Sequence, residues 1–278
     1  CVNALVDAGI VEVVAAGDDP NPKVAGAGFA ALRDAGIAVR SGLMQNVAEK
    51  LNEGFFSRIK QARPFVRLKI ASSLDGRTAM SSGESQWITG EDARADVQRL
   101  RAASGAVMVG VATVLADDPA LTVRDEQIEN QGLQPHRVVV DSHLRTPPDS
   151  QLFNEEGDTT IFCISDDNRA ALEIAGSKVI AVPAKDGKTD LSAVLKILAE
   201  QRINDLLVEA GPTLAGSLLD AELVDELVIY QAPHIMGSNT RGMFSTPAWS
   251  DLGQRMPLVV VDTRQVGRDM RITARPGR

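Results

Sequence analysis

The sequence predicts an α/β protein, with a mostly parallel sheet, flanking helices and an antiparallel edge, preceded by a smaller α/β segment. Three observations predict it. From Phe65 to Leu219, short β-branched runs alternate with amphipathic stretches, the pattern of a helix-covered parallel sheet. From Glu226 onward the strand-like runs follow one another with no helical pattern between them, which calls for antiparallel pairing. The length, 278 residues against a prior of roughly 150 per domain, and a change of texture near Pro64 give two units, 1–63 and 64–278.

Taken in order, Val2, Leu5 and Val6 share a helical face that Gly9 stops. Ile10 to Ala16 reads as a strand and Asp18 to Pro22 as a loop. Phe29 to Ala35 reads as helix and Ile37 to Arg40 as strand. Met44 to Lys60 reads as one helix with Val47, Leu51, Phe55 and Ile59 in a stripe, ended by Pro64. Phe65 to Ser72 alternates as a strand, and Asp75-Gly76 pivots a turn. Thr89-Gly90-Glu91-Asp92 resembles a capping box opening a helix through Ala93, Val97 and Leu100. Strands are expected at 106–111, 137–141, 159–165 and 178–183. A helix at 191–201, a strand at 205–210 and a helix through Leu219 follow. Strands at 226–232, 258–262 and 271–274 close the chain.

Composition narrows the function. Apolar residues make up 44% and charged residues 24%, a globular balance able to bury a core. The net charge of −8 argues against a general nucleic-acid or anionic-membrane binder, and 4% aromatics argue against base-stacking platforms. An anionic ligand therefore needs a local cluster of cations. Two cysteines, Cys1 and Cys163, make no disulfide framework, and a reducing cytoplasm is the expected compartment. No apolar run reaches the roughly 18 residues of a membrane-spanning helix. The chain opens on Cys1, already inside a structured pattern, and is expected to be a piece of a longer protein.

Several segments could carry chemistry. Leu206 to Gly216 is strand, turn and helix, with Gly211-Pro212-Thr213 at the turn. Free N–H groups at a helix N-terminus attract anions, although the turn alone reads first as an ordinary capped helix. Gly216 could admit a ligand or another strand. Glu209 ends an apolar strand where α/β sheets bind ligands, or is a strand-end charge in water. Asp117-Asp118 ahead of Pro119 reads as a turn. Arg101 and Arg124 could clamp a phosphate, though spacing alone leaves each on a solvated surface. Lys69 faces a pocket or guards a sheet edge. Trp87 flanks a planar ligand or, by the simpler reading, plugs the core. His136, His143 and His234 have no zinc-like spacing.

Four motifs in order are more specific than any one: 73–77 (Ser-Leu-Asp-Gly-Arg), 83–89 (Gly-Glu-Ser-Gln-Trp-Ile-Thr), 116–124 (Ala-Asp-Asp-Pro-Ala-Leu-Thr-Val-Arg) and 208–214 (Val-Glu-Ala-Gly-Pro-Thr-Leu). With them the chain resembles the bacterial bifunctional riboflavin-biosynthesis deaminase–reductases. The resemblance implies a dihydrofolate-reductase-like fold over 64–278. It implies that 1–63 is the C-terminal part of a cytidine-deaminase-like domain plus a connector. It implies NADPH-dependent reduction of a phosphoribosylamino-uracil to its phosphoribitylamino form, with zinc-dependent deamination by the longer protein. Cys1 then resembles the last zinc ligand of that deaminase.

Carried over motif by motif, the resemblance puts Ala71, Trp87, Thr113, Asp117, Ser142 and the run Gly211, Pro212, Thr213, Leu214, Ala215, Gly216 and Ser217 on the cofactor. It puts Ser85, Arg101, Leu121, Arg124 and Glu209 on the substrate. Lys69 and Asp117 are the expected polar groups at the reacting carbon, and Ser142 and Arg145 are candidates for the cofactor's 2′-phosphate. The segment 112–124 is expected to loop over the site. The expected partners are a small phosphorylated pyrimidine and further copies of the chain, with no nucleic acid and no membrane. Two alternatives stand beside this reading: a dihydrofolate-reductase-like enzyme on another pterin-type substrate, and a non-catalytic, oligomeric nucleotide-binding domain.

Overall fold

The computed structural model describes residues 1–129 and 132–277. The first segment holds α1 (Val2–Asp7), β1 (Glu12–Ala15), α2 (Ala27–Asp34), β2 (Ala38–Ser41), α3 (Gln45–Leu51) and α4 (Glu53–Gln61). β1 and β2 pair in parallel as a small separate sheet. Next come β3 (Phe65–Ser73), β4 (Arg77–Ala79), α5 (Glu91–Ala102), β5 (Ala106–Gly110), α6 (Val111–Asp117), β6 (His136–Val140) and β7 (Thr159–Cys163). After these lie α7 (Arg169–Ile174), β8 (Lys178–Ala181), β9 (Ala184–Lys185), β10 (Lys188–Thr189), α8 (Leu191–Glu200), β11 (Asp205–Glu209) and α9 (Pro212–Asp220). The chain ends with β12 (Glu226–Ala232), β13 (Arg241–Gly242), β14 (Leu258–Val266) and β15 (Asp269–Pro276).

Nine strands form the main sheet in the order β14-β15-β12-β3-β11-β5-β6-β7-β8. From β12 to β8 every pairing is parallel, while β15 pairs antiparallel with β12 and with β14. This is the mostly parallel sheet with an antiparallel edge that the strand–helix alternation predicts. Successive side chains alternate between the faces, so each strand feeds two cores. Val66, Leu68, Met108 and Val208 pack with Leu195 and Leu198 of α8 and Leu218 of α9. Val107, Val139, Ile161 and Leu207 pack on the other face with Val97 and Leu100 of α5, Val114 of α6 and Leu172 of α7. Each fully buried leucine contributes about 1.5–3 kcal/mol. The two helical layers thus hold the strand ends, and the loops beyond them, at fixed spacing.

Four local expectations need correction. The single helix over 44–60 is two, because Asn52 leaves helical backbone at φ −128° between α3 and α4. The stripe accordingly does not act as one face: Val47 and Leu51 are exposed, while Gly54 and Ser57 of α4 are buried. Thr89 does not cap α5; Gly90 takes that position, and its N–H donates to Asp269 Oδ2 at 2.7 Å. A β15 carboxylate thus does the work expected of a local side chain. Residues 111–117 are helix α6 rather than a loop, and Val111 begins that helix instead of ending β5. Strand β14 runs on to Val266, beyond the apolar run that marks its start, because its partner β15 pairs along its whole length.

Candidate functional site

β3, β11, β5 and β6 lie side by side and end on the same edge of the sheet. The C-terminal ends of parallel strands are where open α/β sheets take ligands. A cleft of about 1330 Å³ opens there. A single small-molecule pocket holds roughly 300–1,000 Å³, so this cleft has room for two ligands side by side.

Its floor carries three charges. Lys69 on β3 and Glu209 on β11 are register partners, so the pairing itself places their side chains together. Lys69 Nζ lies 3.8 Å from Glu209 Oε2. Arg101, in the last turn of α5, forks onto the same carboxylate, Nε to Oε1 at 2.6 Å and Nη2 to Oε2 at 3.1 Å. Its Nη1 donates to the Thr122 carbonyl at 2.9 Å. Lys69 sits on a central strand, which removes the edge-guarding alternative. Glu209 is likewise not a solvated strand end, and Arg101, at 9% exposure, is not a surface residue.

Burial controls these titrations. Loss of water pushes the Lys69 ammonium below its ordinary value, against the opposing pull of Glu209. Burial alone would raise the Glu209 carboxyl, but Arg101 and Lys69 outweigh it and hold it below the usual carboxylate range. The floor is therefore an ionised carboxylate shared between a fixed guanidinium and an amine that releases its proton more readily than a surface lysine.

On one side of this floor stands the start of α9. Gly211 is its N-cap, with Pro212 in the first turn and no side chain capping the free N–H groups. Gly211, Pro212, Thr213, Leu214 and Ser217 line the cleft. Ala215 and Gly216 are buried behind that wall. A Cβ on Gly216 would collide with the Ser245 backbone, so this glycine admits a segment of the chain itself rather than a ligand. An uncapped N-terminus facing open space fits the pyrophosphate of a dinucleotide.

The other expected residues gather around the same space. Ala71, Thr113, Asp117 and Ser142 line it, as do Ser85, Leu121 and Arg124. Asp117 is exposed at the C-terminal end of α6, and Asp118 beside it also lines the cleft. Asp118 Oδ1 accepts from Ser150 Oγ at 2.6 Å and Gln151 N at 2.9 Å. Arg124 is exposed, and its backbone N–H donates to Gln98 Oε1 at 2.9 Å. Trp87 does not plug the core: it is 67% exposed and lines the cleft.

Sequence reasoning missed Arg94, whose guanidinium lies 4.6 Å from the Trp87 ring centroid while Nη1 donates to the Thr89 carbonyl at 2.8 Å. It also missed Lys188, on the β9–β10 hairpin at the cleft rim. The Asp186-Gly187 pair between two lysines was the signal for that hairpin. A metal finds no such setting. No group of three or more His, Cys, Asp or Glu side chains gathers among the described residues, and Cys1 is exposed. Zinc does not fit the described residues.

Comparison with known proteins follows the same lines. The family model described as the RibD C-terminal domain matches residues 64–272. The riboflavin biosynthesis protein RibD of Escherichia coli K12 is 46% identical over 279 residues, covering 97% of this chain and 76% of that protein. RibD of Haemophilus influenzae is 43% identical, covering 99% and 76%. Among solved structures, Acinetobacter baumannii RibD superposes with a TM-score of 0.92 at 40% identity, over all of this chain and 76% of that one. A Thermotoga maritima protein described as a diaminohydroxyphosphoribosylaminopyrimidine deaminase/5-amino-6-(5-phosphoribosylamino)uracil reductase gives 0.84 at 30% identity, over all of this chain and 74% of that one.

Proposed function

The chain belongs to the RibD family, and from that premise we propose that its cleft is the reductase site of riboflavin biosynthesis. The substrate is 5-amino-6-(5-phosphoribosylamino)uracil, the reductant NADPH, and the product the 5-phosphoribitylamino compound. One observation carries the reading: a single cleft sets an open helix N-terminus beside a buried lysine–carboxylate–arginine floor, with space for cofactor and substrate together. The longer protein would also deaminate the preceding pyrimidine with zinc, Cys1 contributing one ligand. The same reading places the enzyme in the cytoplasm as a homo-oligomer.

When bound, the nicotinamide supplies a hydride to the ribose C1′. The chain's own residues must orient the sugar and deliver one proton. When the ribose ring opens, the C1′–O4′ bond breaks and the amine proton passes to O4′, leaving an imine on the substrate. Hydride addition at C1′ then needs a proton at the imine nitrogen. Lys69 would give it, because burial weakens its hold on that proton. Glu209 keeps the amine pointed at the floor, and Arg101 fixes Glu209. With three of its five N–H groups engaged by protein, Arg101 has little fork left for a phosphate. Arg124, exposed and making no ion pair with the described residues, takes that role. Asp117, close enough to Lys69 to raise its hold on the proton, organises that proton with it.

The test mixes the chain with NADPH and the phosphoribosylamino-uracil, following loss of reduced cofactor and the mass of the product. Turnover is expected, with dihydrofolate failing to compete. No consumption of NADPH, or equal use of dihydrofolate, overturns the reading. Arg124→Ala is expected to weaken the substrate on the order of tenfold or more while leaving cofactor affinity unchanged.

A further inference from the structure

One buried carboxylate outside the cleft holds a segment of the cleft wall. Residues 85–89 belong to no helix or strand, yet Ser85 and Trp87 on this segment line the cleft. Ile88 and Thr89 are buried, while Trp87 stands out into the open space. The stance of the indole therefore depends on how the segment is fastened where it enters α5.

It is fastened at a single peptide unit. The Thr89 carbonyl accepts from Arg94 Nη1 at 2.8 Å, and the N–H of the same peptide, on Gly90, donates to Asp269 Oδ2 at 2.7 Å. The two polar groups point in opposite directions, and each meets a charged side chain. A planar peptide gripped at both groups cannot rotate without breaking one of the bonds. Arg94 also lies over Trp87, 4.6 Å from the ring centroid, so the same guanidinium ties the indole to the gripped peptide.

Asp269 reaches Gly90 from the antiparallel edge of the sheet. It opens β15, directly after the tight turn at Gly267-Arg268. Its side chain is buried, and Oδ1 accepts no hydrogen bond from the described residues, lying 3.8 Å from Arg268 Nε. Burying a carboxylate with one oxygen unused is costly, and the open N-terminus of α5 offsets that cost. Turn and helix sit on each other through two glycines. A Cβ on Gly267 would run into the Asp92 side chain, and one on Gly90 would crowd Arg268 and Asp269. Further along α5, Asp96 accepts from the Tyr230 hydroxyl at 2.6 Å and from Arg271 Nη1 at 2.8 Å. One face of α5 is thus anchored on β12 and β15, while Arg94 and Arg101 on the other line the cleft.

We propose that Asp269 is a positioning residue for the reduction: through the Thr89–Gly90 peptide it sets where Trp87 stands against the bound cofactor. The inference rests on the function proposed above, in which NADPH occupies this cleft. Asp269 is not part of the cleft lining and touches neither ligand. It acts by removing the other orientations of the peptide that carries the segment. Hydride transfer is sensitive to such placement, since an error of about 1 Å can cost on the order of a hundredfold.

The test uses the full 278-residue chain carrying Trp249→Phe, which leaves Trp87 as its one tryptophan. Reduced nicotinamide absorbs where tryptophan emits, so NADPH quenches Trp87 by energy transfer, and the quenching at saturation reports the placement of the ring. Asp269→Ala is expected to raise the NADPH Kd and lower kcat, each on the order of tenfold, and to weaken the quenching at saturation. Substrate KM at saturating NADPH should not move. Asp269→Asn should restore all three, because its amide oxygen still accepts from the Gly90 N–H. A partly unfolded population would lower kcat but leave the Kd and quenching of the folded molecules as they were. Should Asp269→Ala fail to fold, Gly267→Ala makes the same test, because it pushes the turn off Asp92 while leaving Asp269 in the chain. Parent values of Kd, kcat and quenching in whichever of the two folds overturn the inference. An Asp269→Asn chain as impaired as Asp269→Ala also overturns it, since the bond to Gly90 would then not be what matters. Both results leave the proposed function standing as long as the parent uses NADPH. A parent that neither binds nor oxidises NADPH removes the inference and the proposed function together.

Discussion

Glu209 is the residue on which the floor of the cleft depends. It is the common partner of Arg101 and Lys69, so Glu209→Gln leaves two buried cations without their counter-charge. Breaking a buried pair from one side costs about 3–5 kcal/mol, which urea unfolding at neutral pH should show. The pH dependence has a definite sign. The Glu209 carboxyl is held below its ordinary 4.5, so between the folded value and 4.5 the unfolded chain binds more protons. Its contribution is full above about 4.5 and is lost as pH falls through the folded value. Lys69 is also lowered, from 10.5, so stability should rise with pH between its folded value and 10.5, and Lys69→Met should flatten that rise. An acid limb unchanged in Glu209→Gln would return the carboxylate to a solvated setting. The two neighbouring aspartates separate chemistry from structure. Asp117→Asn should fold, keep much of its NADPH affinity and lose most turnover, since a positioned acid or base gives about 10²–10⁴-fold. Asp118→Asn should instead lose about 1 kcal/mol, because its bonds to Ser150 and Gln151 hold the loop at the cleft rim. Parent-like turnover in Asp117→Asn leaves that residue no catalytic role.

At the scale of elements, α9 shows how the site is aimed. Its N-terminus faces the cleft because Gly216 lets the 243–245 segment cross close behind it, where Ser245 N donates to the Pro212 carbonyl at 3.0 Å. Gly216→Ala should push helix and segment apart, costing about 1–3 kcal/mol as overpacking does. It should also weaken NADPH without touching any residue on the cleft wall. A stable variant with parent affinity would mean that the crossing segment moves freely. Much of this was legible in the sequence: the strands from Phe65 to Glu209, the turn at Gly211 and the helix after it announce themselves through alternation and turn residues. Other features depended on partners distant in sequence. Trp87 looks like core until Arg94 is seen beside it in an open cleft. The N-cap residue of α5, Gly90, is held by an Asp269 carboxylate from β15, which no local pattern contains. Arg101 looks like a surface cation because its partner Glu209 lies 108 positions away. The break at Asn52 escapes because apolar spacing continues across it while the backbone does not.

For the whole molecule, the question is where the first segment stops being an appendage. Pro64 marks the change of texture in the sequence, yet α4 is fastened to the sheet ahead of it. The Glu53 carboxylate receives the Arg275 fork at 2.6 and 2.7 Å, and Arg275 Nη2 also reaches Glu226 at 3.0 Å. Arg63 forks onto Asp225 at 2.5 and 2.7 Å, and Arg58 Nε donates to Asn204 Oδ1 at 2.6 Å. Gly54 packs against the Asp205 carboxylate, an approach that leaves no room for a Cβ. These contacts join α4 and the residues after it to β11, β15 and the turn before β12, whereas Val11, Leu43 and Leu51 ahead of it are exposed. A chain beginning at Asn52 should therefore melt with the parent and keep NADPH binding. A chain beginning at Pro64 loses Glu53 from Arg275 and Arg63 from Asp225 together. Charge-assisted bonds of this kind contribute about 1.5–3 kcal/mol. For a domain of this size that lowers the melting temperature by roughly 5–10 °C. Scanning calorimetry of the two truncations beside the full chain measures the difference directly. Equal melting of the two would make α4 a connector resting on the sheet, while a fall already at Asn52 would show that β1, β2 and the helices around them brace the reductase fold as well.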